Sequence, residues 1–264
     1  MGIYVNPGNI AFQRINNSEY VDKTQLIDLI NARIDTNNNL VCISRPRRFG
    51  KSFAAQMLCA YYDKTCDSSV LFDDLAIAKD ERYLEHLNKY DVIYLDMTSI
   101  IGTTDKEDIV SFIIRNVTQE LVTAYPELQI QEAFFATLSN AAALAGNKFI
   151  MIIDEWDAPI REAINQPLVQ KGYLEFLHSL FKNSGATDKI FAAAYMTGIL
   201  PIKKDGSQSA ISDFEEYSMI KPRKFGTYVG FTESEVKKLC DDHGADFEMM
   251  ILNLTGQKRL RRPV

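Results

Sequence analysis

The stretch Val41–Phe53, VCISRPRRFGKSF, decides how the rest of the chain reads. Together with Leu40 it begins as the apolar run LVCIS, the right length for a strand buried on both faces. A basic loop follows, and then KSFAAQMLCAYYD, where Phe53, Met57, Leu58 and Tyr61 repeat at helical spacing. The order is strand, loop, helix. The loop closes on Gly50-Lys51-Ser52, the second half of the phosphate-binding pattern G-x-x-x-x-G-K-[ST]. Where that pattern opens on glycine, this chain has Arg45.

Such a loop works because successive backbone N–H groups and a helix N-terminus point at phosphates, while the lysine spans the β and γ phosphates and the hydroxyl holds Mg²⁺. Gly50 allows close backbone approach, Lys51 supplies charge and Ser52 supplies the metal ligand. Pro46 biases Arg45 toward extended geometry, so the strand can run into the loop without a left-handed entrance turn. Residues Arg45, Pro46, Arg47, Arg48, Phe49, Gly50, Lys51, Ser52 and Phe53 are the candidate nucleotide-binding segment, with Ser52 as a metal ligand. Three readings stay open for the arginines: contact with phosphate or base, pairing with internal carboxylates, or attachment of a polyanionic partner.

The 264 residues are 46% hydrophobic and 24% charged, ordinary for a globular chain with a sizeable core. A net charge of -6 argues against wholesale coating of nucleic acid and confines polyanion contact to a local patch such as RPRR. Cys42, Cys59, Cys66 and Cys240 form no C-x-x-C pair and read as buried, reduced thiols. His86, His178 and His243 lack metal-ligand spacing and read as solvated. No run approaches the roughly 18 apolar residues of a membrane span, and the N-terminus lacks a signal peptide pattern, so the expected location is cytoplasmic, with no membrane contact.

Elsewhere, VDKTQLIDLINARID places Leu26, Ile27, Ile30 and Ile34 at helical spacing. VIYLD at 92–96 is a second buried strand. The segment from Thr104 is expected to open a helix through a Thr104–Glu107 capping box, with Ile109, Phe112, Ile113, Val117 and Leu121 on one face. A helix at 130–145 leads to KFIMIIDEWDAPI, the most hydrophobic strand, which ends in Asp154-Glu155. Asp157, before Ala158-Pro159, reads as the cap of the next helix. A helix over 168–183 precedes the strand KIFAAAYMTGILPI, which ends at Thr197-Gly198. A loop from Lys203, a strand near 214–219 and a helix capped by Thr232 and Glu235 complete the pattern. Alternating strands and helices imply right-handed crossovers and a parallel sheet covered on both faces.

An apolar strand ending in two carboxylates, downstream of the phosphate loop with a strand between, is the Walker B arrangement. Asp154 is the expected Mg²⁺ ligand, through water, and Glu155 the residue that orients and deprotonates the attacking water. Thr197 stands where a polar group touches the γ phosphate or that water, or is a plain strand-end threonine. Lys51, Glu155 and Thr197 are the candidate catalytic set.

Taken together, YVDKT at 20–24, RPRRFGKS at 45–52, YDVIYLDMTSI at 90–100, IIDEWDAPI at 152–160, TGILPI at 197–202 and GFTESEV at 230–236 resemble the AAA-ATPase-like proteins of bacteria and archaea. The arginine-rich loop is that family's own form of Walker A. The resemblance implies an α/β P-loop NTPase fold of ASCE type, with a central Walker A strand separated from the Walker B strand by another. It implies ATP and Mg²⁺ as ligands, with Lys51 and Ser52 on phosphate and metal, Asp154 and Glu155 as the Walker B pair, and Thr197 as a sensor-like residue. Relatives commonly continue into a PD-(D/E)XK nuclease-like domain. The end of this chain, DFEMMILNLTGQKRLRRPV, departs from the aromatic motif usual there, and a truncated C-terminal region is expected. The expected domains are a P-loop ATPase-like domain over 1–230 and a partial helical region over 231–264.

The leading functional expectation is a Mg²⁺-dependent ATP-binding module with slow hydrolysis, switching a partner or a nuclease-like domain. The alternative is a non-catalytic nucleotide-sensing module whose basic loop, or tail at Lys258, Arg259, Arg261 and Arg262, contacts nucleic acid or protein. A small-molecule kinase needs an acceptor site and arginine-rich lid that the sequence does not display. Oligomerisation, with an arginine supplied by a neighbour, is compatible with all three.

Overall fold

The apolar runs that stand out in the sequence form the strands of one sheet in the computed structural model, which describes residues 2–182, 184–202, 211 and 213–250, with residues 184–186 in backbone only. Helices α1 (Ile10–Asn16) and α2 (Gln25–Asn31) precede β1 (Leu40–Ser44), and α3 (Lys51–Tyr62) follows it. Short helices α4 (Ser69–Phe72) and α5 (Tyr83–His86) lead to β2 (Asp91–Asp96). Then come α6 (Met97–Thr103), α7 (Ile109–Ala124), α8 (Phe134–Ala145) and β3 (Phe149–Asp154). Helices α9 (Ala158–Glu162), α10 (Pro167–Phe181) and α11 (Ser184–Ile190) precede β4 (Phe191–Gly198), β5 (Glu215–Ser218) and α12 (Glu233–Asp242).

Among the described residues the sheet has five strands in the order β2-β3-β4-β1-β5, and every neighbouring pair is parallel. β4 therefore lies between β1 and β3. Side chains alternate across the pleat: Val41, Ile43, Ile150, Ile152 and Tyr195 enter the core under α1–α3, while Cys42, Met151, Ile153 and Met196 enter the core under α6–α11. All six residues of β3 are buried, and each large apolar side chain there contributes roughly 1.5–3 kcal/mol by leaving water. A five-strand parallel sheet flanked by helices is consistent with a P-loop-like fold.

Residues Met1–Val229 and Gly230–Val264 form two compact units. The sheet belongs to the first. In the second, α12 starts with the expected capping box: Thr232 Oγ1 accepts the Glu235 N–H at 3.3 Å, and Glu235 Oε2 accepts the Thr232 N–H at 2.7 Å. The loop at 203–210 and the basic tail Lys258, Arg259, Arg261 and Arg262 lie outside the described residues.

Several local expectations fail. The Thr104–Glu107 capping box does not form, because Asp96 caps an earlier helix: its carboxylate accepts the Thr98 and Ser99 N–H groups and starts α6, which leaves Thr104 extended at that helix's end. A 3-10 turn, Lys106–Asp108, then delays α7 to Ile109. Ile109, Ile113, Val117 and Leu121 are buried on one face as expected, with Phe112 half-buried beside them. In the first helical segment α2 ends at Asn31, so Ile34 packs on the core from a turn instead of from the helix. His86 is half-buried and bonds Tyr90 through Nδ1 at 2.8 Å, so it is not the solvated residue the sequence suggests, and Cys66, in the turn after α3, is half-buried where the other three cysteines are buried as expected.

Candidate nucleotide-binding site

β1 continues into the basic loop for one more residue, as the Arg45 N–H bonds the Gly198 carbonyl of β4 at 3.0 Å. This is the extended entrance that Pro46 favours. Arg48 (φ 69) and Gly50 (φ 74) are both left-handed, the kind of backbone that curls successive N–H groups into an anion-binding concavity. A Cβ at Gly50 would meet nothing within 4 Å, so glycine is favoured there by its φ and not by crowding. The Gly50 carbonyl accepts the Ala54 N–H at 3.0 Å, and the N–H groups of Lys51, Ser52 and Phe53 before it have no acceptor within the helix, which leaves them for an anion.

Lys51 opens α3 and is buried, with its ammonium folded back on the loop: Nζ donates to the Pro46 carbonyl at 3.0 Å and lies 3.4 Å from Glu155 Oε1. Ser52, the next residue of α3, faces Asp154, the last residue of β3, closely enough to favour its ionised form. Asp154 is buried beside Thr197, the two brought together because Ile153 registers with Met196 across β3 and β4. The Thr197 hydroxyl donates to Asp154 Oδ1 and accepts the Glu155 N–H at 3.1 Å. Burial pushes the Asp154 carboxyl above its ordinary range, partly offset by the facing Ser52 and Thr197 hydroxyls, and Asp96 and Glu155 add to the rise.

Glu155 itself is left-handed at φ 54, a conformation costing about 1–3 kcal/mol for a residue with a side chain. Two bonds to Thr197 hold it: the Glu155 N–H to the hydroxyl, and the Trp156 N–H to the carbonyl at 2.8 Å. The turn aims the carboxylate back toward Lys51. Its other oxygen, Oε2, accepts from Arg161 Nη2 at 2.6 Å.

Asp157 stands at the N-cap position of α9, but its side chain caps nothing there, contrary to the sequence reading. The carboxylate is fully buried and instead accepts the N–H groups of Ile199 at 3.2 Å and Leu200 at 2.9 Å, plus Arg161 Nε at 2.9 Å. It ties the turn after β3 to the turn after β4. Arg161 and Asp157 are the residues that motif reasoning missed. Their spacing of four on a helix was legible as an ion pair.

The structure thus joins Lys51, Asp154, Glu155 and Thr197 by direct contacts, with Ser52 facing Asp154. The other candidates sit differently. The Arg45 guanidinium lies against the Met219 thioether just past β5, on the side of β1 away from β4, and burial lowers its proton affinity. Arg47 and Arg48 are exposed, Pro46 is exposed and contributes its carbonyl, Phe49 is half-buried against the α3 core and Phe53 is 52% exposed.

A model of the predicted AAA-ATPase family matches residues 8–207, a span that runs from α1 through β4 and contains every residue of this contact set. The chain belongs to the predicted AAA-ATPase family. A relative of this AAA-ATPase-like chain, an uncharacterised protein in the vnfD 5′ region of Azotobacter chroococcum mcd 1, is 23% identical over 223 residues. The match covers 82% of this chain and 40% of that protein. Membership supports nucleotide binding.

The residues present fit a hard cation bound with a nucleotide. Magnesium commonly takes one or two protein oxygens, with waters and phosphate oxygens supplying the rest. Ser52 and Asp154 offer such a pair, and no cluster of three or more His, Cys, Asp or Glu side chains suited to a stand-alone metal occurs among the described residues. No helix among the described residues is long and apolar enough to cross a membrane.

Proposed function

We propose that this chain is a Mg²⁺-dependent ATP-binding module that hydrolyses ATP slowly and switches a partner, or a nuclease-like domain, between conformations. The observation that carries the reading is one continuous set of contacts where β1, β3 and β4 end, Asp154 to Thr197, Thr197 to Glu155 and Glu155 to Lys51, with Ser52 of α3 facing Asp154. The sheet order supports the ASCE assignment, since β4 separates the Walker A strand β1 from the Walker B strand β3. The ATPase-like domain is assigned to residues 1–230 and the helical region to 231–264.

In this reading the N–H groups of the 46–52 loop cradle the phosphates, and Lys51 leaves the Pro46 carbonyl for the β and γ oxygens. Ser52 and Asp154 hold the metal, Asp154 through water. Bound Mg²⁺ supplies neutralisation of phosphate charge. Glu155 orients the attacking water and takes its proton. Thr197 acts through its neighbours, since its hydroxyl hydrogen is already committed to Asp154. Arg47 and Arg48, exposed at the loop, are free to approach phosphate oxygens or a base.

That exposure also favours a second reading, a non-catalytic nucleotide-sensing module with a basic loop for nucleic acid or protein. Steeply salt-dependent DNA binding without ATP turnover separates it from the first. The deciding experiment for the leading reading is calorimetric titration with ATP and Mg²⁺ beside Lys51→Ala. The expected result is Mg²⁺-dependent binding lost in the variant, with hydrolysis abolished in Glu155→Gln. A folded wild-type chain that takes up no nucleotide overturns it.

A further inference from the structure

Glu155 has a cation at each of its carboxylate oxygens. Lys51 faces Oε1 at 3.4 Å and, in the function proposed above, is the group that nucleotide draws away. Arg161, on Oε2 at 2.6 Å, is anchored: its Nε donates at 2.9 Å to Asp157, a fully buried carboxylate also fixed by the Ile199 and Leu200 N–H groups. Two directed bonds from one planar guanidinium to two different carboxylates define its position more closely than a single ion pair does.

We propose that Arg161 is a positioning residue that restrains Glu155, so that water activation requires Glu155 Oε2 to leave the guanidinium while Arg161 stays on Asp157. This rests on the reading of Glu155 as the general base. A base has to come within about 2.6–3.2 Å of the water it deprotonates. In the proposed function the phosphate and its attacking water belong on the Lys51 side of Glu155, whereas Arg161 holds the carboxylate toward α9. Once Lys51 has moved to phosphate, the Arg161 bond is the remaining tie on the carboxylate group. It is a charge-assisted bond, about twice as strong as a neutral one, and it has to break before Oε2 can turn to the water.

The restraint also has an input. Leu200 and Arg161 share Asp157 Oδ2, so a partner that displaces the turn after β4 shifts the anchor of Arg161 and through it the freedom of Glu155. The slow hydrolysis proposed above is then a property of the resting chain, relieved from that turn.

The test is ATP hydrolysis and ATP binding by the full chain as wild type, Arg161→Gln and Arg161→Lys. Glutamine is the neutral variant, and lysine keeps a cation beside Asp157 and Glu155 if glutamine does not fold. The expected result is a kcat raised roughly tenfold in Arg161→Gln with KM and calorimetric Kd for ATP unchanged, the rate equivalent of losing one charge-assisted hydrogen bond. Arg161→Lys is expected to lie between glutamine and wild type. A kcat that falls or stays the same in the folded variants, with ATP binding intact, overturns the restraint and leaves the ATPase reading standing. Failure of the wild type itself to bind ATP overturns the ATPase reading and this proposal together.

Discussion

Thr197 and Asp154, on neighbouring parallel strands, share a buried hydrogen bond in which the threonine hydroxyl donates to the carboxylate, and the same hydroxyl oxygen accepts the Glu155 N–H. One side chain thus sets both acidic residues of the candidate site. It also offsets the left-handed strain at Glu155 by giving that residue's N–H a partner.

Replacing Thr197 by valine keeps the volume and removes both bonds. A buried carboxylate oxygen and a backbone N–H are left without their partner, at a cost of about 2 kcal/mol, and the melting temperature falls by roughly 4–8 °C. Mg²⁺-dependent ATP affinity falls as well, because Asp154 loses the group that orients it. Thr197→Ser retains the hydroxyl and restores most of both. Melting curves and calorimetry on the three proteins check this, and a valine variant as stable as wild type would show that the hydroxyl is not the clamp.

Two glycines of the site make a contrast that separates crowding from backbone conformation. A Cβ on Gly198 would stand 2.5 Å from Trp156 Nε1 and 2.9 Å from Asp157 Oδ1, in a region where both neighbours are buried. Gly198→Ala therefore overpacks the contact between the end of β4 and the turn after β3, costing about 1–3 kcal/mol. Gly50→Ala meets no atom and carries only the left-handed penalty, about 1 kcal/mol. The expected order of stability is wild type, Gly50→Ala, Gly198→Ala. Urea denaturation gives it directly, and the reverse order for the two variants would refute the steric reading.

Much of this site was legible because its parts are local signals. LVCIS and FIMIID are apolar runs bounded by polar residues, and each became a strand buried on both faces. The loop chemistry of Gly50, Lys51 and Ser52 is likewise carried by adjacent residues. Asp96 was missed as a helix cap because strand and helix abut there, with no loop between to mark the change. Arg161 meets Glu155 only because Glu155 turns left-handed, and a separation of six residues is not a neighbour relation on a regular helix. Asp157 sits at the cap position that the sequence indicates, yet its carboxylate answers to Ile199 and Leu200, a tertiary demand that no local pattern encodes.

His86 gives a pH dependence whose sign follows from its burial. Desolvation is the main cause that lowers its proton affinity below the ordinary value of 6.5, with Glu85 and Asp35 opposing and Arg82 assisting. The unfolded chain then binds the proton more readily than the folded one. The contribution of neutral His86 is present above the unfolded value and is lost as pH falls through the folded one. Between pH 7 and 5 the stability difference between wild type and His86→Gln should shrink or reverse. Other groups titrating in that window cancel in the difference, so a gap constant with pH would exclude His86 as the source.

Cys59 reports on the same site from beneath it. It lies on the buried side of α3, the helix that carries Lys51 and Ser52 at its start, and burial pushes its thiol well above the ordinary range, with Asp63 and Asp154 adding to the rise. Alkylation of a thiol so placed requires opening of the structure, since the thiolate is the reactive form. Cys66, half-buried outside that helix, should react first under native conditions. Ligand that binds only the folded chain suppresses opening by its own binding free energy, so ATP and Mg²⁺ at one hundred times Kd should slow Cys59 labelling roughly a hundredfold where global unfolding is the route. In Lys51→Ala the protection should vanish while Cys66 labels as before. Mass-resolved alkylation of the two peptides reads both rates in one experiment, and equal Cys59 rates with and without nucleotide in the wild type would mean that α3 is not the helix nucleotide stabilises.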